Sequence, residues 1–343
     1  ISFSGHLSFY VSSAVTTIIF FQVAKKWPTL IKNIPHFELD EYVDTRIKTK
    51  CNVFIAMFLT VATVEHMLAQ FSGIAVVLDC AVDHSRLYRD YIESSFPWVV
   101  EFGLSDHFLI GISIQFINIT ATLAWNYSDL FIVCISYYLT SILQGIYRKV
   151  IDNKAKVCMR MVCNYLHIML LLHFSVFVQI FTIFSQLQYL SSSFWASVRE
   201  DYNHAAQLVR AVDEVVSGAV FASFTINLFF ICFQLYNLLS FRPLGGYENV
   251  IYLTYSMMFV LFRYLCVSLI AARVHTTSQS LAPALYDVPS TVYNVEVQRF
   301  LDQVHHDTLA LSGLQFFYVT KSLVLTVAGS IFTYELVLLQ YGG

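Results

Sequence analysis

Charged side chains are scarce in this chain: Asp, Glu, Lys and Arg together make up 13% of its 343 residues. A soluble domain carries about 25% charged residues, whereas 57% of this chain is hydrophobic and its mean hydropathy is +0.62. The scarcity argues against an ordinary soluble fold and favours helices that face lipid. The net charge of -3 also provides no basic face, which nucleic-acid binding requires.

Cysteine, glycine and proline are sparse as well, and their placement excludes several classes of site. The seven cysteines form no CxxC pair and no Cys/His group at metal-ligand spacing, so we expect packing residues and no metal. Twelve glycines and six prolines, without an internal repeat, argue against a transporter built from paired repeats and broken helices. The histidines and acidic residues do not converge on a catalytic spacing, so we expect neither an enzyme nor a cofactor.

Long apolar runs are what the sequence has in abundance. A helix needs roughly 20 predominantly apolar residues to cross the hydrocarbon core of a membrane. Six runs are of that kind, at 7–24, 51–78, 107–128, 218–240, 249–272 and 313–340, and a further apolar run covers 161–184. The sequence therefore predicts an all-α, polytopic membrane helix bundle.

Lysine and arginine cluster beside some of these runs, and such residues are retained on the cytoplasmic side. Two loops are basic, whereas the connector at 79–106 is acidic. The basic residues are Lys25, Lys26, Lys32, Arg46, Lys48 and Lys50 in the first loop, and Arg148, Lys149, Lys154, Lys156 and Arg160 in the second. We expect both basic loops inside and 79–106 outside, an arrangement that holds only if 161–184 does not cross the membrane, which the sequence leaves open. A crossing at 161–184 would invert every later helix.

The last apolar run ends in a short motif, Thr333-Tyr334, five residues, then Gln340-Tyr341. This motif resembles the Thr-Tyr and Gln-Phe signature of insect gustatory receptors, with Tyr341 in place of the final Phe. Four further stretches resemble the sugar-sensing branch of that family, in the same order along the chain. They are Lys26-Trp27-Pro28, Glu65-His66, Trp125 to Ile132, and Val198 to Asn203.

The resemblance implies both a fold and an activity. The fold is the insect chemoreceptor bundle of seven helices in the full chain, with the first helix lying before Ile1 and missing here. It places the protein in the plasma membrane with a cytoplasmic N-terminus and an extracellular C-terminus. The implied activity is a sugar-gated, non-selective cation channel of taste neurons, in which four identical or related sister subunits surround one pore. The implied partners are a sugar, the sister subunits and the lipid membrane.

The resemblance also divides the chain. The second to fourth helices would occupy 1–147, an anchor helix 191–217, the fifth and sixth helices with a further anchor segment 218–312, and the pore-lining helix 313–343. The segment 148–190 is atypical, because Lys156 to Leu190 have no counterpart in the family. It is an insertion lying on the membrane, an extra crossing, or translated non-coding sequence.

Glu65 and His66 lie inside an otherwise apolar run. An ionisable side chain in the membrane is costly and usually faces a cavity or a partner. Two interpretations stay open: a sugar-facing or gating pair, or a packing pair bonded to a neighbouring helix.

Gln115, Asn118 and Trp125 follow one run at intervals of three and seven, so they share a helix face. Sugars present hydroxyls and apolar C–H faces, which suit amides and an aromatic platform. Tyr252 and Tyr255 near the start of a later run are similar candidates. The alternative for all five is polar contact between helices and aromatic residues at the membrane boundary.

The last run offers candidates for a pore and its gate. Gly329 and Ser330 are small enough to let helices approach closely, and Leu336, Val337 and Gln340 follow them. Rings of apolar side chains can gate a pore by dewetting. The alternative is that this face packs within the same subunit.

Four further polar features have interpretations that involve neither catalysis nor ligand binding. His305-His306-Asp307 belongs to a polar segment, 296–307, which we interpret as a solvated or subunit-contact helical face. The stretch 198–214 is predicted to be an amphipathic helix entering the next span, and its charges suit an inter-subunit anchor. Asp129 is expected to be structural. The sequons at Asn118 and Asn126 lie in a membrane helix and should be unmodified.

Two other membrane proteins are rivals to a channel. A seven-helix receptor coupled to a G protein would place its N-terminus outside and carry Asp-Arg-Tyr or Asn-Pro-x-x-Tyr signatures, which are absent from the expected helices. A secondary transporter would show repeats and broken helices.

Overall fold

The computed structural model describes residues 2–80, 87–96, 108–171, 192–239, 247–288, 290 and 293–341. Nearly all of this part is helical. The helices are α1 (Ser2–Asn33), α2 (Ile47–Cys80), α3 (Leu87–Ser95), α4 (Phe108–Leu171), α5 (Ser192–Leu239), α6 (Tyr247–Gln279), α7 (Leu281–Tyr286), α8 (Val295–His306) and α9 (Lys321–Tyr341), with short 3-10 turns at Ile34–Phe37 and Asp40–Tyr42. The strands β1 (Ser312–Gly313) and β2 (Phe317–Tyr318) form an antiparallel hairpin before α9.

Five helices of the described chain are long and apolar enough to cross a membrane: α1, α2, α4, α5 and α6. They contain the described residues of the first five predicted apolar runs. The sixth run, 313–340, needs a correction at its start, because residues 312–318 form the hairpin and the helix begins only at Lys321. The run 161–184 begins as a continuation of α4 to Leu171, and its remainder lies outside the described residues.

Helices α4, α5 and α6 form the centre of the bundle, and α1 and α2 pack on its sides. The main core follows α4 from Ile132 to Val150, meets Trp195 and Tyr202 on α5, and continues to Phe300 on α8. Trp195, Tyr202 and Phe300 are each 0% exposed. Fully burying such side chains contributes about 1.5–3 kcal/mol each where the alternative is contact with water.

Helix α8 lies against the N-terminal half of α5 through charged pairs. Arg199 Nε donates to Glu296 at 3.0 Å, and Arg210 Nη2 donates to Asp307 at 2.7 Å. The hydrogen bond from Arg199 holds the pKa of the Glu296 carboxyl below its usual range. The Asn294 side chain caps α8 by accepting from the backbone N–H groups of Glu296 and Val297. Both 198–214 and 296–306 are therefore helical, as the sequence predicts.

The connection between α1 and α2 is tied to the same half of α5. The Tyr42 hydroxyl donates to Asp201 at 2.6 Å, and Lys149 on α4 donates both to that hydroxyl and, at 2.9 Å, to the same carboxylate. Burial and the hydrogen bond to Asp201 raise the pKa of Tyr42. We call this end of the bundle, with the α1–α2 connection, α7, α8 and the hairpin, the anchor end.

The hairpin that precedes α9 is held by α5 as well. Asp213 accepts from the Ser312 backbone N–H at 2.6 Å and from the Ser312 hydroxyl at 2.7 Å. The turn places Leu314 and Gln315 at φ values of 50° and 62°, a left-handed conformation that L-residues rarely adopt. Such strain persists only where the surroundings enforce it. The backbone leading into α9 is therefore fixed by a carboxylate on α5.

The close approach of the α1–α2 connection to α4 predicts a specific sensitivity at Gly145. A Cβ at this position would lie 2.6 Å from the Tyr42 carbonyl oxygen and 2.7 Å from the Tyr42 Cβ. Since both neighbours belong to the main chain or its first side-chain atom, we expect Gly145→Ala to lower the stability of the purified protein by about 1–3 kcal/mol.

The matched control is Gly218→Ala, because the atoms nearest to the position of its Cβ lie 3.8 Å away, at ordinary van der Waals distance. Thermal unfolding of both variants in the same detergent checks the prediction. Equal midpoints for Gly145→Ala and Gly218→Ala would contradict the packing described for Tyr42.

Candidate functional site: a polar chain and an unpaired polar face in the helix bundle

A chain of hydrogen bonds joins α5, α6 and α2 in the half of the bundle away from the anchor end. Gln234 Nε2 donates to the Ser256 hydroxyl at 2.7 Å, and that hydroxyl donates to Glu65 Oε1 at 2.7 Å. Tyr252 lies beside the same serine, and the Tyr255 hydroxyl donates to the Val61 carbonyl at 3.3 Å. The structure therefore brings Glu65 together with Tyr252 and Tyr255.

The neighbours Glu65 and His66 point to different partners. His66 Nε2 lies 3.5 Å from Gln70 Nε2 on its own helix, and Gln70 accepts from the Tyr91 hydroxyl of α3. Consecutive residues on a helix point about 100° apart, so the two side chains cannot share one contact. His66 belongs to an α2–α3 contact and not to the Glu65 chain.

Helix α4 presents buried polar atoms without a partner among the described residues. Gln115 Oε1 and Trp125 Nε1 are such atoms, and so are the Tyr10 hydroxyl on α1 and Gln234 Oε1 on α5. A buried polar group left unpaired costs about 1–3 kcal/mol, so each would gain from a polar guest. Asn118, the third predicted member of the face, is half-buried.

Trp125 is surrounded by rings and one cation. Its ring centroid lies 5.9 Å from that of Phe9 and 4.7 Å from that of Phe230. The guanidinium carbon of Arg263 lies over the indole, 4.0 Å from its centroid. With the ring covered in this way, the part of the indole that lacks a partner is its Nε1–H, and the expectation of an open aromatic platform is revised accordingly.

Arg263 also forms a buried ion pair. Its Nη2 and Nε donate to Asp129 Oδ2 at 2.6 Å and 3.0 Å. Both residues are 0% exposed. Asp129 thus forms a buried ion pair with Arg263, a residue that was not identified from the sequence. An arginine inside an apolar run, which requires a carboxylate nearby, was the signal that could have found it.

Among the side chains of α9 that the structure describes, those on one side of the helix pack on the bundle. Val324 is buried, and Leu323, Val327 and Ile331 contact the main core. The opposite residues are exposed in the single chain, among them Gly329, Ser330, Val337 and Gln340, with the signature residues Thr333 and Tyr334. The side chains of Leu336 and Tyr341 lie outside the described part.

The histidines of α8 do not assemble a metal site. His305 Nε2 lies 3.0 Å from the Tyr286 hydroxyl, and His306 Nδ1 lies 2.7 Å from the Asp302 carbonyl oxygen. Across the described ranges, no three His, Cys, Asp or Glu residues come together as metal ligands.

The hydrogen-bond chain predicts the effect of removing one hydroxyl. Ser256→Ala leaves the half-buried Glu65 carboxylate without its donor, so we expect a loss of about 1–3 kcal/mol in stability. Ser268→Ala is the control, because that buried hydroxyl on the same helix donates only to backbone carbonyls of its own helix. Thermal unfolding of the two purified variants tests this prediction. A Ser268→Ala midpoint at or below that of Ser256→Ala would contradict the described hydrogen-bond chain.

Comparison with known proteins agrees with this architecture. At the level of fold, the chain is similar to the insect olfactory receptor OR5 from Machilis hrabei, with a TM-score of 0.59 and 16% identity over 97% of this chain and 79% of that one. The same receptor in complex with eugenol gives a TM-score of 0.57, with the same identity and coverage.

Curated relatives are similar along nearly the whole sequence. The gustatory receptor for sugar taste 64b of Drosophila melanogaster is 28% identical over 98% of this chain and 77% of its own length. The receptor for sugar taste 64a is 29% identical over 94% and 66%, and gustatory receptor 5a for trehalose is 26% identical over 97% and 68%. These relatives are chemosensory receptors and not enzymes.

A family model described as trehalose receptor matches residues 1–177 and 162–343, which together span the chain. The five candidate spans agree with a receptor that passes through the membrane several times. The chain belongs to the trehalose receptor family of insect gustatory receptors and is a multi-pass membrane protein.

Proposed function

We propose that the protein of which this chain is part is a sugar receptor of taste neurons that acts as a sugar-gated, non-selective cation channel in the plasma membrane. One observation carries the proposal: polar atoms of Gln115, Trp125 and Gln234 are buried in α4 and α5 without partners among the described residues. A sugar, with many hydroxyls that donate and accept, can satisfy atoms of this kind. The relatives that are named for sugar and trehalose support the ligand class.

The sugar site combines amides, a carboxylate and an indole. Gln115 and Gln234 accept from sugar hydroxyls through their unpaired amide oxygens, and Trp125 donates through Nε1–H. Glu65 lies at the end of the Gln234–Ser256 chain, where its second oxygen takes a further hydroxyl. Asn118, Tyr252 and Tyr255 complete the lining, and His66 borders the site through the α2–α3 contact.

The pore is formed by α9 helices of four sister subunits. Support comes from the exposure of this apolar helix: Phe332 is 65% and Val337 45% exposed in the single chain. An exposed apolar surface of this extent on one helix is expected to contact lipid or other subunits. Gly329 and Ser330 allow close approach, and Leu336, Val337 and Gln340 line or gate the channel.

The orientation follows from the basic anchor end. Exposed basic side chains lie along the C-terminal part of α1 and at the start of α2, namely Lys25, Lys26, Lys32, Arg46 and Lys48. The cytoplasmic side of a membrane retains such positive charge. The anchor end is thus cytoplasmic, the sugar site faces the outside, and the C-terminus is extracellular.

Gating requires the sugar to bind the open state more tightly than the closed one. Helix α5 connects the two sites, because it carries Gln234 at the sugar site and Asp213 at the hairpin before α9. A small displacement of α5 is passed to the start of the pore helix through the Asp213–Ser312 bonds.

The test is whole-cell current from cells that express the full-length protein and receive a panel of mono- and disaccharides. We expect prompt cation current that persists when GDP-β-S blocks G-protein signalling. No current from protein at the cell surface, alone or with related receptors, contradicts the proposal; current abolished by GDP-β-S favours the G-protein alternative.

Substitutions of two glutamines should distinguish effects on sugar binding from effects on ion permeation. Gln115→Ala removes one hydrogen-bond partner of the sugar, and we expect the half-maximal sugar concentration to rise about 2- to 10-fold with unchanged ion selectivity. Gln340→Ala should alter reversal potential or open probability with little change in that concentration.

The control for both is Gln298→Ala, an exposed glutamine on α8 at the anchor end. Dose–response curves and bi-ionic reversal potentials are measured for the three variants at matched surface levels. Wild-type behaviour of both test variants would remove the assigned roles.

A further inference from the structure

The most deeply buried charges of the described chain lie at the crossing of α4, α5 and α6. The Asp129 carboxylate accepts from Arg263 on α6 and from Ser223 on α5, the latter at 2.5 Å. Asn227 Nδ2, one turn further along α5, lies 3.3 Å from both carboxylate oxygens. The aspartate is therefore fixed from two helices, and in turn it fixes the guanidinium.

The guanidinium spans from this carboxylate to the indole one turn away. Trp125 and Asp129 are four residues apart on α4, so they lie on one face of the helix. Arg263 lies over the Trp125 ring at 4.0 Å, and its Nη2 is 3.4 Å from the Trp125 carbonyl oxygen. Phe259 and Phe58 flank it at 5.6 Å and 5.9 Å. One arginine thus contacts both the ring and the backbone of Trp125.

A contribution to folding stability does not by itself explain why the protein has this buried ion pair. Replacing a buried ion pair by apolar residues of similar volume is often neutral or stabilising. A cation over an indole, in contrast, favours particular relative positions of the two groups. The planar guanidinium can make both interactions. Its edge donates hydrogen bonds to the carboxylate, and its face stacks on the aromatic ring.

We propose that Arg263 is a positioning residue for sugar recognition: held by Asp129, it fixes the indole of Trp125 so that Nε1–H is directed at a sugar hydroxyl. The inference rests on the proposed function, because it takes Trp125 as a sugar contact. Arg263 itself contacts no sugar and acts through the tryptophan.

The experiment uses the full-length receptor and removes both charges together. In the double variant Arg263→Gln, Asp129→Asn no unpaired charge remains, so the protein should reach the cell surface. We expect the half-maximal sugar concentration to rise about tenfold, while the maximal current per surface receptor stays unchanged. A purely structural pair would lower surface level and maximal current without moving the half-maximal concentration.

A cycle with Trp125→Phe shows whether the arginine acts through the indole. Phenylalanine keeps a ring beneath the guanidinium but has no N–H to direct. In the Trp125→Phe background, neutralising Arg263 and Asp129 should cause little further rise in half-maximal concentration. Effects that multiply would show that the pair acts independently of the indole, and they would overturn the inference.

Two additions keep the result decisive. The matched control is Arg210→Gln, Asp307→Asn, which neutralises another arginine–carboxylate pair at the anchor end and should leave the half-maximal concentration unchanged. If the first double variant fails to reach the surface, the cycle is run with Arg263→Lys, which keeps the charge but loses the fork. Absence of sugar current in the wild type contradicts the proposed function itself, whereas an unshifted variant beside a responding wild type contradicts only this inference.

Discussion

An ion pair in an apolar helix bundle is the constraint on which the arrangement of α4, α5 and α6 depends. Asp129 and Arg263 are 0% exposed and bonded at 2.6 Å. Losing one partner of such a pair typically costs 3–5 kcal/mol, because the other charge stays buried and uncompensated. Helices that must keep the two groups in contact cannot rotate freely about their axes. The pair thereby limits which faces of α4 and α6 meet, and with them the placement of Trp125.

Helix α5 joins the two ends of the molecule in one rigid element. Its first half binds the α1–α2 connection through Asp201, α8 through Arg199, and the hairpin before α9 through Asp213. Its second half supplies Ser223 and Gln234 to the buried polar contacts. Helix α9, in contrast, touches the bundle by one side in the part whose side chains the structure describes. Under the proposed function, a ligand that displaces α5 acts on α9 through the short, strained turn at Leu314 and Gln315.

The sequence predicted the fold more fully than the site, for a physical reason. Apolar runs report on contact with lipid, which depends on local composition, so five spans were located directly. The start of α9 was missed, because the hairpin residues are nearly as apolar as the helix. Ser256 was overlooked because the role of a serine in an apolar run depends on its hydrogen-bond partner. That partner, Glu65, lies 191 residues away in the sequence.

Adjacent residues show the same limit of sequence reasoning. Glu65 and His66 suggested a pair in the sequence, yet Glu65 accepts from Ser256 on α6, whereas His66 lies against Gln70 on its own helix. Gln115, Asn118 and Trp125 were placed on one face of a helix, but the ring of Trp125 proved to lie beneath Arg263. Helical periodicity predicts which face of a helix a side chain occupies. Which residue contacts that face depends on tertiary packing, which the sequence pattern does not show.

The proposed function requires that a sugar enters the bundle and pairs polar atoms that lack partners among the described residues. A sugar-bound structure of the full-length receptor in lipid, determined by electron cryomicroscopy, tests this directly. We expect sugar density within hydrogen-bond distance of Trp125 Nε1 and of the amide oxygen of Gln115 or Gln234. Sugar density elsewhere, with these atoms still unpaired or bonded to one another, would contradict the proposal.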